Sequence, residues 1–407
     1  MFKAVLTLVS SGLFFAAGIQ VLASPASSKR DNATYCPYPS RSLMTRQSND
    51  GLSFSGSQWI WTSEIDSTTG VAPVGSRAFR KTFGPPEGKT LSTLKVAYAV
   101  DDSAMLFVNG ENIATHNLWL TADTACVSLK PCLNVIAFNA TNVGGPAALL
   151  VTAEVTYTDG STSHIVSDQS WRTSGASIPD GFEQRSFDDS SWPLAIGEGA
   201  YPNENFVDYG TIPIAGSDTF SLAPARWIWT NELTTPGGAV PTPPRAFRSS
   251  IALPPGQTSV TAEVLIVADG AYSLYINGRF AGTGSDFHSA QRFSINNIQG
   301  PQIVVAVYAL NGGPAPNPAG LLASFQFTSK DPSSCVDCSS ETYLFTSTSW
   351  KTTNGVPSGF EQPGFDDSAW TAAVEEGDVN SSPWAPITVA STNSAPGSPL
   401  PGAPAGN

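Results

Sequence analysis

Adjacent carboxylates are the side chains of this sequence whose types could support acid–base chemistry. They occur as Asp188-Asp189, Asp366-Asp367 and Glu375-Glu376. Hydrolysis of a glycoside by two carboxylates needs them about 5–10 Å apart across a cleft. Neighbouring residues of a strand point to opposite faces, so an adjacent pair rarely meets that need. We interpret the aspartates instead as turn caps, with the Phe and Trp of the motif Phe-Asp-Asp-Ser-x-Trp anchoring a strand.

Histidines and known catalytic motifs give no stronger signal. The three histidines, His116, His164 and His288, are not spaced as zinc ligands, and we expect His116 and His288 to be solvated loop residues. The sequence contains no Gly-x-Ser-x-Gly elbow, phosphate-binding loop or dinucleotide-binding fingerprint. These residues therefore predict a protein that is not an enzyme.

The five cysteines indicate disulfides, with one cysteine left over. Cys126 and Cys132 flank a short Lys-Pro turn, and Cys335 and Cys338 share a Ser-rich loop. Each pair is close enough in sequence to close a small ring, so we predict the disulfides Cys126–Cys132 and Cys335–Cys338. Cys36 remains unpaired in this scheme.

The first residues of the chain are typical of a secretory leader. A basic start, an apolar run and small residues before a cleavage point predict a signal peptide over 1–23, and basic residues predict a propeptide over 24–46. No later stretch is long and apolar enough to span a membrane. We therefore expect an extracellular protein, which also makes three sequons candidates for N-glycosylation. These sequons are at Asn32, Asn139 and Asn380.

The acid excess restricts the partners of the chain. Its formal net charge is −13 at pH 7. An acidic surface repels the phosphates of nucleic acids and of anionic lipids. Nucleic acid and membrane surfaces are therefore not expected partners, and hard cations are compatible ones.

Internal repetition is the strongest pattern in the sequence. Trp-Ile-Trp, Arg-Ala-Phe-Arg and an Asp-to-Asn-Gly segment recur with an offset of 168 residues, and Phe-Asp-Asp-Ser-x-Trp recurs with an offset of 178. The second copy therefore carries about ten extra residues. The copies of these motifs begin at Trp59 and Trp227, Arg77 and Arg245, Asp101 and Asp269, and Phe187 and Phe365.

The pattern within each copy is that of strands. Apolar residues alternate with polar ones from Val151 to Tyr157, and turn signals such as Asn109-Gly110 separate the runs. With 36 Gly and 32 Pro, the composition also favours turns over helices. We predict an all-β protein of two tandem antiparallel β-sandwich domains, 47–215 and 216–388, followed by a disordered tail over 389–407 that is rich in Pro, Gly, Ser and Ala.

The order of the repeated motifs resembles a known family. Both copies contain Trp-Ile-Trp, then Arg-Ala-Phe-Arg, an Asp-led strand ending in Asn-Gly, an Asn before a Gly/Pro loop, and Phe-Asp-Asp-Ser-x-Trp. This order resembles the galactose-binding-like jelly-roll modules of α-L-rhamnosidases, including their rhamnose-binding modules. Two such modules without the enzyme's helical-barrel domain resemble secreted mushroom lectins of the oyster-mushroom type. The resemblance implies carbohydrate binding without catalysis.

The resemblance also implies a Ca²⁺ ion that contacts sugar hydroxyls in each module. Ca²⁺ takes 6–8 oxygen ligands at about 2.3–2.6 Å, and neighbouring sugar hydroxyls can supply two of them. Carried over to the first copy, the ligands are Asp101, Asp102, Asn142 and the carbonyl of Pro146. An Asp that bonds a turn and an Asn that forms one remain the alternative for these residues.

The second copy departs from this ligand pattern. The matching residues are Asp269, Asn311 and Pro318, but Gly270 stands where the first copy has Asp102, and the loop before Pro318 is three residues longer. We therefore expect a second site with fewer side-chain ligands or with a different sugar.

Four further residues are weaker candidates. Glu64 and Glu232, which follow Trp-Ile-Trp, are candidate metal or sugar ligands. Trp119 and Phe287 offer either a flat face to a sugar or an anchor for their loops. The tryptophans of Trp-Ile-Trp are expected in the core, because the first strand of each domain must be held there.

Three functions stay open on the sequence. The favoured one is a secreted, calcium-supported lectin for galactose- or rhamnose-type sugars. The others are a glycoside hydrolase or lyase with a site between the copies, and a structural wall or matrix protein whose modules only pack together.

Overall fold

A computed structural model describes residues 52–407 except 67, 118, 203–209, 217–219, 234, 254–258, 314–315 and 331–338. Among these residues there is no helix, and the predicted all-β class is confirmed. The predicted leader, propeptide, Cys36, Asn32 and the Cys335–Cys338 disulfide lie outside the described residues.

The strands of the first repeat are β1 (Gln58–Trp61), β2 (Gly75–Phe83), β3 (Leu91–Asp101), β4 (Ser103–Val108), β5 (Glu111–His116), β6 (Asp123–Ser128), β7 (Asn134–Asn142), β8 (Ala148–Tyr157), β9 (Thr162–Val166), β10 (Arg172–Thr173) and β11 (Ile196–Ala200). Those of the second repeat are β12 (Trp227–Trp229), β13 (Arg245–Ala252), β14 (Ser259–Ala268), β15 (Ala271–Ile276), β16 (Arg279–Gly284), β17 (Ser289–Gln299), β18 (Gln302–Leu310), β19 (Leu321–Lys330), β20 (Ser339–Phe345), β21 (Lys351–Thr353), β22 (Thr371–Ala372), β23 (Val374–Gly377) and β24 (Thr388–Val389).

Each repeat is a sandwich of two sheets whose strands pair antiparallel, apart from the short β24. In the first repeat, a sheet with the order β10-β2-β7-β4-β5 faces one with the order β11-β1-β8-β3-β6, where β9 also pairs with β8. In the second repeat, a sheet ordered β16-β15-β18-β13-β21-β22 faces β20-β19-β14-β17-β24, with β12 and β23 beside β19. Inward side chains from both sheets of a repeat form one apolar cluster. The antiparallel sandwiches predicted from the alternating pattern are therefore confirmed.

The alternation of apolar and polar residues determines which face of a strand packs in the core. Val151, Ala153, Val155 and Tyr157 of β8 all belong to the central cluster of the first repeat. The tryptophans of both Trp-Ile-Trp motifs are fully buried, as expected for the strand that begins each domain. These residues fix the register, because a slip of one residue would turn every apolar side chain outward.

One sheet runs continuously through both repeats. Strand β6 pairs antiparallel with β20 at Thr124 and Glu341. The hydroxyl of Thr124 donates to the Glu341 carboxylate, Lys95 lies 3.3 Å from that carboxylate, and the amide of Cys126 donates to Ser340. Main-chain pairing and a buried charge therefore join the two sandwiches.

His116 lies at this junction and not in solvent, so its prediction as a solvated loop residue is wrong. Its side chain is 5% exposed. Nδ1 lies 3.0 Å from the Asp123 carboxylate, and Nε2 lies 2.8 Å from the carbonyl oxygen of Thr121. The other Asp123 oxygen accepts the amide of Tyr343 from the second repeat. Both ring nitrogens of His116 therefore have a partner within the protein.

The tail after residue 388 is ordered, which corrects the prediction of disorder. Strand β24 pairs parallel to β17, and the amide of Ser394 donates to the carbonyl of Arg292. Residues 397–407 then cross the outer face of the other sheet of the second repeat. This low-complexity segment is therefore held in place by contacts with residues far away in sequence.

Among the described residues, no helix has the length and apolar character to cross a membrane.

Candidate functional site

The repeated glutamates Glu64 and Glu232 each bind an arginine of the Arg-Ala-Phe-Arg motif. Arg77 donates from Nε and Nη2 to the two oxygens of Glu64, at 2.5 and 3.2 Å. Arg245 makes the same pair of bonds to Glu232, at 2.6 and 2.9 Å. The hydrogen bond from Arg77 lowers the pKa of Glu64. Two-point pairing uses both carboxylate oxygens, which favours a structural role over the predicted metal or sugar contact.

The second arginine of that motif explains the motif Phe-Asp-Asp-Ser-x-Trp. Arg80 is 1% exposed, and its Nε donates to Asp189 at 2.8 Å. Its other nitrogens donate to main-chain oxygens of the same segment, including that of Gln184 at 3.2 Å. Arg248 and Asp367 repeat the arrangement at 2.8 Å in the second repeat.

The first aspartate of the motif caps its turn. Asp188 accepts the amide of Ser190 at 3.0 Å, and the rings of Phe187 and Trp192 contact one another. Asp188 therefore caps a turn, as interpreted from the sequence, whereas Asp189 binds the buried Arg80. The recurrence of both motifs in each copy was the sequence signal that could have revealed the buried arginine.

The predicted ligands of the first repeat come together where β3 and β7 end. Asp101 is the last residue of β3 and is 9% exposed, and its peptide bond to Asp102 is cis. The amide of Asp102 donates to the carbonyl of Thr141 at 3.1 Å, and its carboxylate accepts the amide of Val143 at 2.7 Å. The two acidic residues therefore lie directly against the loop that follows Asn142.

Asn142 ties two loops into one surface. Its amide nitrogen donates to the carbonyl of Ala72 at 2.8 Å, and its oxygen accepts the amide of Gly144 at 2.9 Å. Ala72 in turn donates to Gly145 at 3.1 Å, and Pro146 forms an isolated bridge with Val71. The structure thus brings Asp102, Asn142 and Pro146 into one loop cluster, where Asn142 also has the turn-forming role that the sequence left open.

Exposed valines surround this cluster. Val143 is 68% exposed, Val74 is 69% exposed and Val71 is 45% exposed. They lie on the two loops that Asn142 connects, and the main-chain amide of Val143 donates to the Asp102 carboxylate. We name Asp101, Asp102, Asn142 and Pro146 with these three valines the first-repeat loop site. It combines hard oxygen donors with apolar surface.

In the second repeat, the counterpart of Asp101 binds a tryptophan. The indole Nε1 of Trp384 donates to the carboxylate of Asp269 at 2.8 Å. Trp384 is fully buried, and its ring stacks on Trp227 with the centroids 4.7 Å apart. Burial raises the pKa of Asp269, against the opposing effect of the Trp384 hydrogen bond. A segment near the end of the sequence therefore covers this position.

The backbone at Gly270 excludes the missing aspartate. Gly270 has φ +96°, and a Cβ atom there would overlap the carbonyl oxygen of Leu310. Asn311 keeps the role of Asn142, with its amide nitrogen 3.2 Å from the carbonyl of Val240. Its buried oxygen has no hydrogen-bond partner among the described residues, and Pro318 is half-buried. At the positions that match the first-repeat loop site, the second repeat thus has the carboxylate of Asp269 and an amide oxygen of Asn311 that has no partner among the described residues.

A second buried carboxyl group lies near Asp269. Glu376 is 5% exposed, and one of its oxygens is buried without a hydrogen-bond partner in the described structure. The other oxygen accepts the amide of Gly237 at a long 3.4 Å. Burial first, and the charge of Asp269 in addition, raise the pKa of Glu376 to about 8. The carboxyl group is therefore protonated at neutral pH.

Trp119 and Phe287 are partly buried against the outer faces of their sandwiches. Trp119 packs on a cluster with Trp59 and Leu150, and Phe287 packs on the cluster with Trp384. These contacts favour the role of loop anchor for both rings.

The remaining predicted residues are at the surface or in strands. Asn139 lies within β7 and is half-buried, while Asn380 is exposed on a turn closed by Asp378. The disulfide between Cys126 and Cys132 stays a prediction. In the described part of the chain, no three His, Cys, Asp or Glu side chains form a metal-binding group.

No model of a protein family matches the chain. The chain is 32% identical to the lectin from Pleurotus ostreatus, whose crystal structure is in complex with GalNAc, over 81% of this chain and 93% of the lectin. It belongs to the family of the Pleurotus ostreatus lectin. The resemblance drawn from the motif order is thus confirmed. The identity over nearly the whole lectin carries this conclusion; the superposition has a TM-score of 0.37, and that on the apo form 0.38.

Members of a second group of proteins match part of this lectin-family chain. An α-L-rhamnosidase of Streptomyces avermitilis is 32% identical over 152 residues, which are 35% of this chain and 14% of the enzyme. The crystal structure of the α-L-rhamnosidase from that organism, complexed with L-rhamnose, is 21% identical over 81% of this chain and 33% of that one, with a TM-score of 0.35. The chain therefore spans a small part of the length of the rhamnosidases.

Proposed function

We propose that the chain is a carbohydrate-binding protein, a lectin, and that the first-repeat loop site holds the sugar. The observation that carries the proposal is the 32% identity along 93% of a lectin whose structure is in complex with GalNAc. The loop site has suitable chemistry, because sugars are bound through hydroxyls on polar atoms and through apolar C–H faces on neighbouring side chains.

Calcium is the proposed cofactor of this site. Carboxylate, amide and main-chain carbonyl oxygens are the ligands that Ca²⁺ prefers, and Asp101, Asp102, Asn142 and Pro146 offer all three types. When bound, the ion would supply positive charge to which sugar hydroxyls coordinate. The residues of the chain would hold it and orient the sugar over the loops.

The valines give the site a preference among sugars. Val74 and Val143 are more than two-thirds exposed on the loops of this site, so a sugar bound there would desolvate them. A methyl group buried against such side chains contributes about 0.8 kcal/mol or more. We infer a preference for methyl-bearing sugars, either 6-deoxyhexoses or N-acetylhexosamines, over galactose.

The second repeat is the weaker of two proposed calcium-supported sites. It has Asp269, Asn311 and Pro318, but Gly270 removes one carboxylate, and Trp384 donates to the remaining one. Fewer charged ligands lower calcium affinity. The side-chain oxygen of Asn311, which has no hydrogen-bond partner among the described residues, would be a ligand for a cation there.

Calorimetry of the full chain tests these proposals. The titrants are GalNAc, galactose and L-rhamnose, each in excess calcium and again in EDTA. We expect binding of GalNAc and L-rhamnose that EDTA abolishes, with galactose weaker. Asp102→Asn keeps an oxygen for the Val143 amide but removes the charge, and we expect it to weaken calcium-dependent binding by at least ~tenfold.

Asp188→Asn is the matched control, since Asp188 is an exposed carboxylate that also accepts a main-chain amide. Equal loss in both variants would contradict the assignment of the loop site. Binding that persists in EDTA would keep the lectin and remove calcium from it. A lack of response to any sugar would support a structural matrix protein.

A hydrolase site between the repeats is the alternative, and a groove of about 420 Å³ does lie there. Its carboxylates are already engaged: Asp123 binds His116, while Asp367 binds Arg248 and Lys351. We therefore propose binding without catalysis. Release of chromophore from a rhamnoside substrate by the purified chain would contradict this.

We also propose that the chain is exported and glycosylated. The leader-like start and the sequons Asn139 and Asn380 support this. Mass spectrometry of protein from the culture medium would give the mature first residue and the glycan masses. An unprocessed first residue would contradict export by this route.

A further inference from the structure

The last residues of the sequence lie in a groove on the second repeat. The main-chain oxygens of Pro401 and Pro404 accept the hydroxyls of Tyr308 and Tyr275, at 3.2 and 2.5 Å. The amide of Leu400 donates to the hydroxyl of Ser273 at 2.9 Å. Asn407 donates from its amide to the carbonyl of Gly278 at 3.0 Å. Residues 397–407 are thus bound by main-chain hydrogen bonds along their length.

The groove is built of aromatic side chains on the outer face of β15 and β18. Tyr275 and Tyr308 are 0% and 3% exposed, and together with Phe360 they form a cluster on which Leu400 and Ala403 pack. Burial raises the pKa of Tyr275 to about 12. Aromatic surfaces with hydroxyls at the rim recognise proline-rich segments, whose ring-locked residues lose little conformational freedom on binding.

Two glycines let the segment approach the groove closely. Gly402 has φ +82°, and a Cβ there would lie 3.4 Å from the hydroxyl of Tyr308. Gly406 has φ +76°, and a Cβ there would lie 2.7 Å from the main-chain nitrogen of Phe280. The segment therefore fits this surface in one conformation, which side chains at these two positions would prevent.

The first repeat has the same face without the hydroxyls. By the 168-residue offset, Met105 and Phe107 stand where the second repeat has Ser273 and Tyr275. Tyr308 pairs with the Ala of Arg-Ala-Phe-Arg, as Asn139 does in the first repeat. All three side chains that bond the segment are thus different in the first repeat, where no such segment lies among the described residues. Met105, Phe107 and Asn139 are half-buried, whereas their counterparts are buried.

We propose that this face of the second repeat is a binding groove for a proline-rich segment with a turn at Leu400–Ala403, which residues 397–407 fill within one chain and which the same segment of a second copy can enter. The hydroxyls of Ser273, Tyr275 and Tyr308 form hydrogen bonds with main-chain groups of the segment. The aromatic rings contact its prolines and small apolar side chains. The proposal is independent of sugar binding.

The test uses the full chain with its own segment displaced. Gly402→Val and Gly406→Val together introduce β-branched side chains at left-handed φ, so the segment should leave the groove. The probe is a fluorescent peptide with the sequence of residues 397–407. We expect saturable binding to the variant, at least ~tenfold tighter than to the unmodified chain, where the attached segment competes at a high effective concentration.

The hydroxyls provide the specificity control. Adding Tyr275→Phe and Tyr308→Phe to the displaced variant should weaken peptide binding about tenfold, because two hydrogen bonds are lost. Tyr157→Phe removes a tyrosine hydroxyl that bonds Ser163 in the first repeat, and it should change nothing. A peptide with both glycines replaced by valine should not bind.

Hydrogen exchange at the Leu400 and Asn407 amides monitors the segment. Lost protection without saturable peptide binding would overturn the proposal, and so would retained protection in the valine variant. Equal binding to both chains would also overturn it. If the valine variant does not fold, Tyr275→Phe/Tyr308→Phe in the otherwise unmodified chain must still lower protection at Leu400, and unchanged protection would refute the groove.

Discussion

The buried carboxyl group of Glu376 should make stability depend on pH in an unusual direction. Its folded-state pKa is about 8, against 4.5 for an ordinary glutamate, chiefly because burial disfavours the charged form. Between these two values the folded chain keeps a proton that the unfolded chain has released. The free energy of unfolding therefore falls as the pH rises from 4.5 to 8 and is level above 8 with respect to this group.

The size of the effect follows from the gap between the two pKa values. At ~1.36 kcal/mol per pH unit, the gap between 4.5 and about 8 corresponds to a loss of about 5 kcal/mol as an upper limit. Glu376→Gln should remove this loss, because the amide stays neutral and keeps an oxygen for the Gly237 amide. The variant should match the unmodified chain near pH 4.5 and exceed it by several kcal/mol at pH 8.5.

Urea unfolding between pH 4.5 and 8.5, in EDTA so that no cation neutralises the site, measures this difference. Glu375→Gln is the matched control, since Glu375 is exposed and its ion pair with Arg226 lies at the surface. It should change stability by ~1 kcal/mol or less at every pH. The pKa of Asp269 is also raised, which leaves a smaller slope of the same sign in the variant. A Glu376→Gln chain with the full pH dependence of its parent would refute the reasoning.

Two further substitutions test the repeated motifs. Asp189→Asn should destabilise the fold by about 3 kcal/mol in urea unfolding, because the buried charge of Arg80 then lacks its carboxylate partner. Asp188→Asn, at the exposed neighbour, should be nearly neutral, and equal effects of the two variants would contradict the pairing of Arg80 with Asp189. Gly270→Asp, which restores the carboxylate of the first repeat, should lower the melting temperature and bind no additional calcium in calorimetry, because its Cβ would overlap Leu310; a stable variant with a stronger second site would contradict the backbone argument.

The sandwiches and their cores could be predicted because their signals are local. Alternation along β8 and the repeated Trp-Ile-Trp strands need only neighbouring residues to be interpreted, and both lie in the core as expected. The loop cluster of Asp102 and Asn142 followed from a family resemblance and not from spacing, and the structure brings the two residues to the same pair of loops.

The contacts that sequence reasoning missed join distant segments. Thr124 and Glu341 pair although they are 217 positions apart, so no local sequence pattern contains both. Arg80 and Asp189 are 109 positions apart, and only their joint recurrence in the second copy hinted at contact. The tail was assigned to disorder because composition describes what a segment can do alone, whereas Tyr275 and Tyr308 hold it.

The pairing of β6 with β20 joins two different edges, not two copies of the same edge. By the repeat offsets, β6 corresponds to β17, and β20 corresponds to β9. Equivalent complementary edges are therefore present again at β17 and β9. An association of this head-to-tail kind does not close, and it can add one molecule after another into a fibre.

Strand β24 lies on that second edge. Thr388 and Val389 pair parallel to Ser289 and Ala290 of β17. The short strand occupies hydrogen-bonding groups that β9 of another molecule would otherwise use, in the manner of proteins that cover exposed sheet edges. The repeat thus places a second complementary edge at β17, and the two residues of β24 cover part of it.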